Sequence, residues 1–509
     1  MQVADMADSP NHDVLSTLLE GPADSPALLA PEDGAPLTYG RLAAAVTGLA
    51  RRLGSLGIEP GDRVALALPA GPEFVELMFA IASLGAAAEP LNPSYAEPEF
   101  SFYLDDLQPR ALLLPAGELE AARRAAHPAV TLIDVKLSPG RPPDLEAAQA
   151  HTSSTTARTV APSPDDVALL LHTSGTTSRP KQVPLRHRNL MASARSIAKH
   201  YRLTADDVSY CAMPLFHVHG LVASTLAPLV AGGTVVAPRR VVPGRFWAQL
   251  VDHRVTWYSA SPTLHQMVLE RGPARLSEGM QLRFVRSCSS ALSPELLGRV
   301  EDLLGVPVLE AYGMTEASHE MSANPLPPGR RIAGSVGVPT GVEIGIVDDR
   351  GNRVAEGSAG EVVIRGPGVM SGYLANEQAN AESFHGDWFR TGDQGRFAGR
   401  YLTLTGRIKE IIIRGGENIS PLEVEAVLQL HPAVSEAVVY GIPNSKYGQV
   451  VGAAVVPRAD VTDSELVAHC RQHLAAFKTP SVVHIVEGIP RTPTGKVQRP
   501  RMAAHFGED

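Results

Sequence analysis

Alanine and leucine recur at helical spacing through YGRLAAAVTGLARRLGSLG (39–57), and the short apolar run RVALALPA (63–70) follows directly. Repeated through the first half of the chain, this alternation of a 3.6-residue period with brief continuous runs predicts a βα succession. A parallel sheet with helices on its faces buries both kinds of segment most simply. The stretch 137–166 (LSPGRPPDLEAAQAHTSSTTARTVAPSPDD) has no periodicity and is rich in Pro, Ala, Ser and Thr, so it is read as a surface excursion rather than an element. It ends at VALLL (167–171), a strand. From about 340 the texture changes to short β-rich runs with glycine-containing turns (VEIGIVDDRGN, GEVVIRG, YLTLTGR), the pattern of a small antiparallel or barrel-like subdomain. After Gly406 an α+β pattern begins: IKEIIIRGG, a helix over PLEVEAVLQLHP (421–432), strands over 436–443 and 451–458, and a helix over 463–477. A domain boundary near Arg407 is expected, with residues 1–406 as one domain and 407–509 as the other. No internal repeat is visible.

The length of 509 residues exceeds one ordinary core, so a composite body with a smaller second domain is expected. Charged residues make up 19% of the chain with a net charge of −9 and scattered Arg and Lys, which argues against a nucleic-acid binder. The start, MQVADMADSPNHDV, lacks the basic and apolar regions of a signal peptide, and no segment approaches the length of a bilayer span, so a cytoplasmic protein is expected. Cys211, Cys288 and Cys470 are too few and too dispersed for a disulfide framework or a four-ligand zinc site, and are read as small buried hydrophobes. Only seven of the 45 basic residues are lysine: 136, 181, 199, 409, 446, 478 and 496. A compact ammonium kept in an arginine-rich chain invites attention.

One of these lysines closes the loop that follows VALLL, HTSGTTSRPK (172–181). A strand running into small hydroxyl residues, one glycine and a lysine exposes backbone N–H groups, hydroxyls and an ammonium that can wrap phosphate oxygens. It is not a Walker A loop, because the second glycine and the GK[ST] ending are missing. Taken whole, HTSGTTSRPK resembles the signature loop of the adenylate-forming (AMP-binding) superfamily, which includes acyl-CoA synthetases, peptide-synthetase adenylation domains and luciferases. The resemblance recurs in order over roughly residues 15–505. PLFHVHG (214–220) is similar to the family's acid-pocket gate, RSCSSAL (286–292) to its adenine-side loop, and EAYGMTEAS (310–318) to its central nucleotide motif. WFRTGDQG (388–395) is similar to its ribose-binding segment, GRIKEIIIRGGENISPLEVE (406–425) to its hinge and second-site loop, and PRTPTGKVQR (490–499) to its catalytic-lysine motif.

The resemblance implies a large N-terminal domain of two α/β lobes with a β-rich subdomain, and a small mobile α+β C-terminal lid. It implies an ATP-dependent, AMP-forming carboxylic acid–CoA ligase: acid and ATP give acyl-AMP and pyrophosphate, and acyl-AMP and CoA then give acyl-CoA and AMP. Such chemistry must hold several negative charges in line and stabilise them as they shift. Thr173, Ser174, Gly175, Thr176, Thr177 and Lys181 would cradle phosphates. Thr315 would donate to the α-phosphate, Glu316 would ligate Mg²⁺, and Lys496 would reach the α-phosphate and the acid oxygen together. Tyr312 would face adenine in a nucleotide pocket shared with Ser290, Ala291, Glu310 and Ala311, while Asp393 would take the ribose hydroxyls beside Arg407. Lys409 would be the hinge, and Gly415 and Gly416 would line the path of the CoA thiol. His217, Ser289, Gly313 and His319 would form the acid pocket, with Gly313 leaving room for the acid and His217 counted among the catalytic group.

With HEMSANP (319–325), these segments resemble most closely the branch that includes oxalate–CoA ligases. In that branch Ser289, His217 and His319 would face a second carboxylate; the same residues could equally line a roomy pocket for a larger monocarboxylate. Two positions depart from the family pattern, Gln182 where glycine is usual and Gln449 where glutamate is usual. Loading of a carrier protein in place of CoA, luciferase-like oxygen chemistry and a non-catalytic adenylate binder are the rival readings. GPGVMSG (366–372) looks superficially like a dinucleotide loop, but its spacing and β-rich setting are wrong.

Overall fold

The computed structural model describes residues 13–138, 140–147, 161–173, 180–272, 279–491 and 497–506. Residues up to 339 form two α/β layers. The helix Tyr39–Ser55 starts where the Thr38 hydroxyl accepts a hydrogen bond from Arg41 N–H, and it buries Leu42, Val46, Leu49 and Leu53, one stripe at i, i+4, i+7 and i+11. The helix Pro72–Ser83 is apolar nearly all round and is buried on all sides, which makes it an interior element rather than a surface one.

One sheet has seven strands in the order Asp144–Ala147, Thr131–Lys136, Ala111–Pro115, Arg63–Leu66, Ala87–Pro90, Val167–His172 and Gln182–Arg186. Its inner neighbours are parallel and its two edge pairs antiparallel. The second has nine strands, with Val308–Met314, Phe284–Ser287, Trp257–Ala260, Val208–Cys211, Thr234–Val236 and Pro26–Leu29 parallel in that order. His319–Ala323 and Val338–Pro339 extend one edge antiparallel, and Leu37–Thr38 the other. The candidate loops leave the carboxyl ends of the strands ending at His172, Cys211, Ser287 and Met314, the edge at which open α/β sheets place ligands.

One local expectation changes, and one element appears that the apolar pattern did not announce. The segment 137–166 contains a real strand, Asp144–Ala147, paired antiparallel with Thr131–Lys136. An isolated four-residue edge strand leaves too short a trace in the apolar pattern to be seen. The PLFHVHG segment opens a π-helix, His219–Leu226, whose Gly220 lies so close to the Met213 and Pro214 carbonyl oxygens that a Cβ would sit 2.4 Å from each. Such wide turns gather at functional sites.

The β-rich subdomain is a five-stranded antiparallel sheet built from Glu343–Val347, Gly360–Arg365, Phe384–His385, Trp388–Ala398 and Tyr401–Arg407. An exposed turn, Ile408–Glu410, separates it from a second five-stranded sheet that begins at Ile412–Arg414 and carries the helices Pro421–Gln429, Asp463–His473 and Arg499–Phe506. This C-terminal unit has its own core, in which Ile412, Val439, Val451 and Val455 of the sheet meet Val424 and Leu428 of the first of those helices. Its polar contacts with the body include Arg458 to Glu295 at 2.8 Å, which is exposed, Gln266 to Ser435 at 3.3 Å and the Ser420 hydroxyl to the Thr405 carbonyl, both half-buried. All three cysteines are free and buried. No helix among the described residues is long and apolar enough to cross a membrane.

Candidate active site

At the phosphate end, Thr173 N–H donates to the Lys181 carbonyl (2.9 Å) and Lys181 N–H to the Thr173 hydroxyl (3.1 Å), closing the neck of the loop. Ser174, Gly175, Thr176 and Thr177 lie outside the described residues, as does Lys496. The ammonium of Lys181 sits 4.2 Å from the centre of the Tyr373 ring, and the Tyr373 hydroxyl donates to Glu316 Oε1 at 2.9 Å. Tyr373 therefore couples the loop lysine to the candidate metal carboxylate, a role that sequence reasoning missed. The signal was the glycine-rich run that ends at Gly372, read only as a false dinucleotide loop. That run docks on the one-turn helix Thr315–Ala317: Met370 N–H donates to the Glu316 carbonyl at 2.8 Å and the Ser318 hydroxyl to the Gly368 carbonyl at 2.8 Å.

Gln182 has a structural partner. Its amide donates to the Asp106 carbonyl (2.7 Å) and carboxylate (2.8 Å), and His172 Nε2 lies 2.9 Å from the same carboxylate. One aspartate thus anchors both ends of the candidate phosphate loop. Because this amide bonds Asp106 and Thr173 and Lys181 close the neck between themselves, Gln182→Gly should change the apparent affinity for MgATP by less than about tenfold, or ~1.4 kcal/mol. A complete loss of activity in pyrophosphate exchange would show a direct contribution from the glutamine.

At the nucleoside end, Asp393 and Arg407 are register partners on neighbouring strands, and Arg407 Nε lies 3.0 Å from Asp393 Oδ1. Tyr312 Oη donates to Asp393 Oδ2 at 2.5 Å. Burial and this carboxylate hold the Tyr312 phenol far above its usual range, so it remains a donor. Ser290 and Ala291 are exposed on the loop above, while Glu310 and Ala311 are buried in the strand. Glu310 lines a cavity of about 420 Å³ with Leu297, Asn324, Arg331, Ile332 and Ala333, and Gly334 N–H donates to its Oε2 at 3.0 Å.

Burial raises the Glu310 carboxyl from 4.5 to about 7 against that one stabilising bond. A folded state that holds its proton more tightly contributes stability that is complete below the unfolded value and is lost as pH rises through the folded one, a swing of about 3 kcal/mol. Urea unfolding between about pH 5 and 8 should therefore show the wild type losing roughly 2–3 kcal/mol relative to Glu310→Gln. Parallel pH curves for the two proteins would rule this out.

At the acid end the structure changes the reading of Gly313 and adds His219 to the group. A Cβ on Gly313 would lie 2.0 Å from the His319 carbonyl oxygen, so the space beside this glycine is taken by the neighbouring strand and not left for an acid. His217 is half-buried with its ring 4.7 Å from that of Phe216, and it is His219, two residues on, whose Nδ1 lies 2.8 Å from Ser289 Oγ. His219 also stacks on His319 with ring centres 5.1 Å apart. Ser289 and His319 both have left-handed backbones, φ +80° and +106°, rare for non-glycine residues and a mark of functional segments. Behind this wall Arg286 and Glu320 form a fully buried ion pair at 3.0 Å.

In the C-terminal unit, Lys409 lies in the exposed turn after Arg407. Gly415 and Gly416 form the exposed two-residue tip of a hairpin with φ +61° and +90°, a turn that demands glycine. Gln449 Oε1 accepts from Ile413 N–H at 2.8 Å and so ties this hairpin to its sheet.

The architecture defines the class of protein first. ATP-bound MatB from Rhodopseudomonas palustris superposes with a TM-score of 0.88 at 28% identity, covering 98% of this chain and 99% of that one. The fold is that of an acid-activating adenylate-forming enzyme. Residues 17–374 match the AMP-binding enzyme family and residues 423–496 its C-terminal domain, and the chain belongs to this family. It is 45% identical to an oxalate–CoA ligase of Arabidopsis thaliana, over 93% of this chain and 94% of that one, and 42% identical to an oxalate–CoA ligase of Saccharomyces cerevisiae (88% and 87%). A sulfoacetate–CoA ligase of Cupriavidus necator is 37% identical, covering 95% of both chains. The protein is an ATP-dependent, AMP-forming acid–CoA ligase.

Proposed function

We propose that the acid is oxalate or another two-carbon acid carrying a second anionic group. The observation that supports this most is the wall in which Ser289 bonds His219 at 2.8 Å and His219 stacks on His319. A second charge entering a pocket is costly unless donors meet it, and the Ser289 hydroxyl with the imidazoles of His217 and His319 can supply them, His219 holding that hydroxyl in place. The oxalate–CoA and sulfoacetate–CoA ligases among the relatives act on acids of this kind, which favours it over a larger monocarboxylate.

In the proposed first half-reaction an acid oxygen attacks the α-phosphorus of ATP and the bond to pyrophosphate breaks. Thr173, Ser174, Gly175, Thr176, Thr177 and Lys181 hold the phosphates; Thr315 and Lys496 stabilise the charge that develops. Tyr312, Ser290, Ala291, Glu310 and Ala311 enclose adenine, and Asp393, with Arg407 beside it, takes the ribose. Glu316 fits a Mg²⁺ site, because that ion uses one or two carboxylates together with substrate phosphates, and its Oε1 is already oriented by Tyr373. Bound there, Mg²⁺ would neutralise phosphate charge. In the second half-reaction the unit after residue 406 turns about Lys409, withdraws Lys496 and brings Gly415 and Gly416 beside the incoming CoA thiol, which attacks the acyl carbon and expels AMP.

Pyrophosphate exchange across a panel of oxalate, sulfoacetate, benzoate and palmitate, followed by thioester formation, tests the reading. Exchange and thioester formation with the two-carbon dianions are expected. Turnover of a bulky hydrophobic acid with both dianions inert refutes the substrate assignment, and exchange without transfer to CoA favours a carrier-protein thiol as acceptor.

A further inference from the structure

We propose that Ser259 is a positioning residue that fixes the tautomer of His219 and thereby makes the Ser289 hydroxyl a hydrogen-bond donor toward the acid. The inference rests on the reading above only in that Ser289 faces the acid; the tautomer itself follows from the protein's own contacts.

The chain of bonds begins at Arg286 on the strand Phe284–Ser287. Its guanidinium is wholly buried and donates from Nε and Nη2 to Glu320 Oε2 at 3.2 and 3.0 Å, and from Nη1 to Ser259 Oγ at 3.0 Å. A guanidinium has donors and no acceptor, so the Ser259 oxygen must accept. The one hydroxyl hydrogen of Ser259 then needs another acceptor, and Ser259 is itself fully buried, out of reach of water. Its other partner is His219 Nε2 at 2.6 Å. Nε2 therefore carries the lone pair.

Burial and the neighbouring Arg286 charge push the His219 pKa well below its usual value, so the imidazole is neutral and has a single N–H. With Nε2 accepting, that proton sits on Nδ1 and is donated to Ser289 Oγ at 2.8 Å. The Ser289 hydrogen is left pointing away from His219, on a residue exposed at the mouth of the site. The reverse chain, with Nε2–H donating to Ser259, would strand the Ser259 hydrogen without an acceptor in the core. A buried arginine thus sets the polarity of a hydroxyl two hydrogen-bonded groups away, and the site presents a donor to an anion without exposing a charge.

Ser259→Ala tests the relay, with Ser259→Thr as the variant that keeps a hydroxyl and melting temperature as the check on folding. Nitrogen NMR of histidine-labelled protein, with the His219 signal assigned by its loss in His219→Gln, should show the proton on Nδ1 in the wild type and a shift toward the other tautomer in Ser259→Ala. The same variant should raise KM for the acid by about tenfold while KM for MgATP stays within about twofold, and Ser259→Thr should recover most of the loss. A wild-type His219 protonated on Nε2 overturns the proposal, as does an equal rise in both KM values. If oxalate is inert yet the Nδ1 tautomer is present, the substrate reading falls and the relay stands, the kinetic arm then being run with whichever acid supports exchange.

Discussion

Lys496→Ala is expected to lower adenylate formation, read as ATP–pyrophosphate exchange, by roughly a hundredfold to a thousandfold or more, while transfer of the acyl group from presynthesised acyl-AMP to CoA changes little. In adenylation the α-phosphorus gains an oxygen before it loses pyrophosphate, and a cation placed at that point stabilises charge that exists only in the transition state; losing one such group typically costs two to three powers of ten. In thioester formation the leaving group is AMP and the nucleophile a thiol, so a lysine on the lid is no longer needed at the phosphate. Equal loss in both half-reactions would refute a lid that rotates between them.

Arg286→Met should cost about 3–5 kcal/mol of stability, because Glu320 would remain buried with its main partner gone. Both side chains are essentially inaccessible, and the guanidinium also bonds the Tyr201 hydroxyl at 3.1 Å, so no solvent can replace what is lost. The double variant Arg286→Met/Glu320→Leu should regain most of that stability, since a buried ion pair is replaceable by apolar groups of similar volume. It should not regain acid affinity, because Ser259 would lose the donor that orients it. Unfolding midpoints of the single and double variants, together with KM for the acid, separate the two effects; recovery of KM in the double variant would show that Arg286 matters only for stability.

The reach of the sequence differs along the site. The helices at 39–57 and 421–432 were legible because a long amphipathic period leaves many concordant positions, and each begins at a hydroxyl cap and ends within three residues of the expected place. The strand Asp144–Ala147 was invisible because four residues on a sheet edge need no sustained apolar pattern. In PLFHVHG the two histidines stand at i and i+2, and only the wide turn of the π-helix that starts at His219 decides which one faces Ser289. Gly313 was expected to leave room for the acid, but the space a Cβ would take there is filled by the His319 carbonyl of the adjoining strand.

The sequence by itself determined the reaction class and its motifs, because phosphate, ribose and metal chemistry each demand particular residue types on short segments at strand ends. Tertiary structure alone decided how those groups are wired together. Tyr312 meets Asp393 across 81 positions, Gln182 reaches back 76 to Asp106, and His219 finds Ser289 70 residues away. Such pairs arise where neighbouring strands and loops converge, and no local period records them. The direction of a hydrogen bond is further removed still, since whether Ser289 donates or accepts depends on a buried arginine whose contacts exist only once two parallel strands lie side by side.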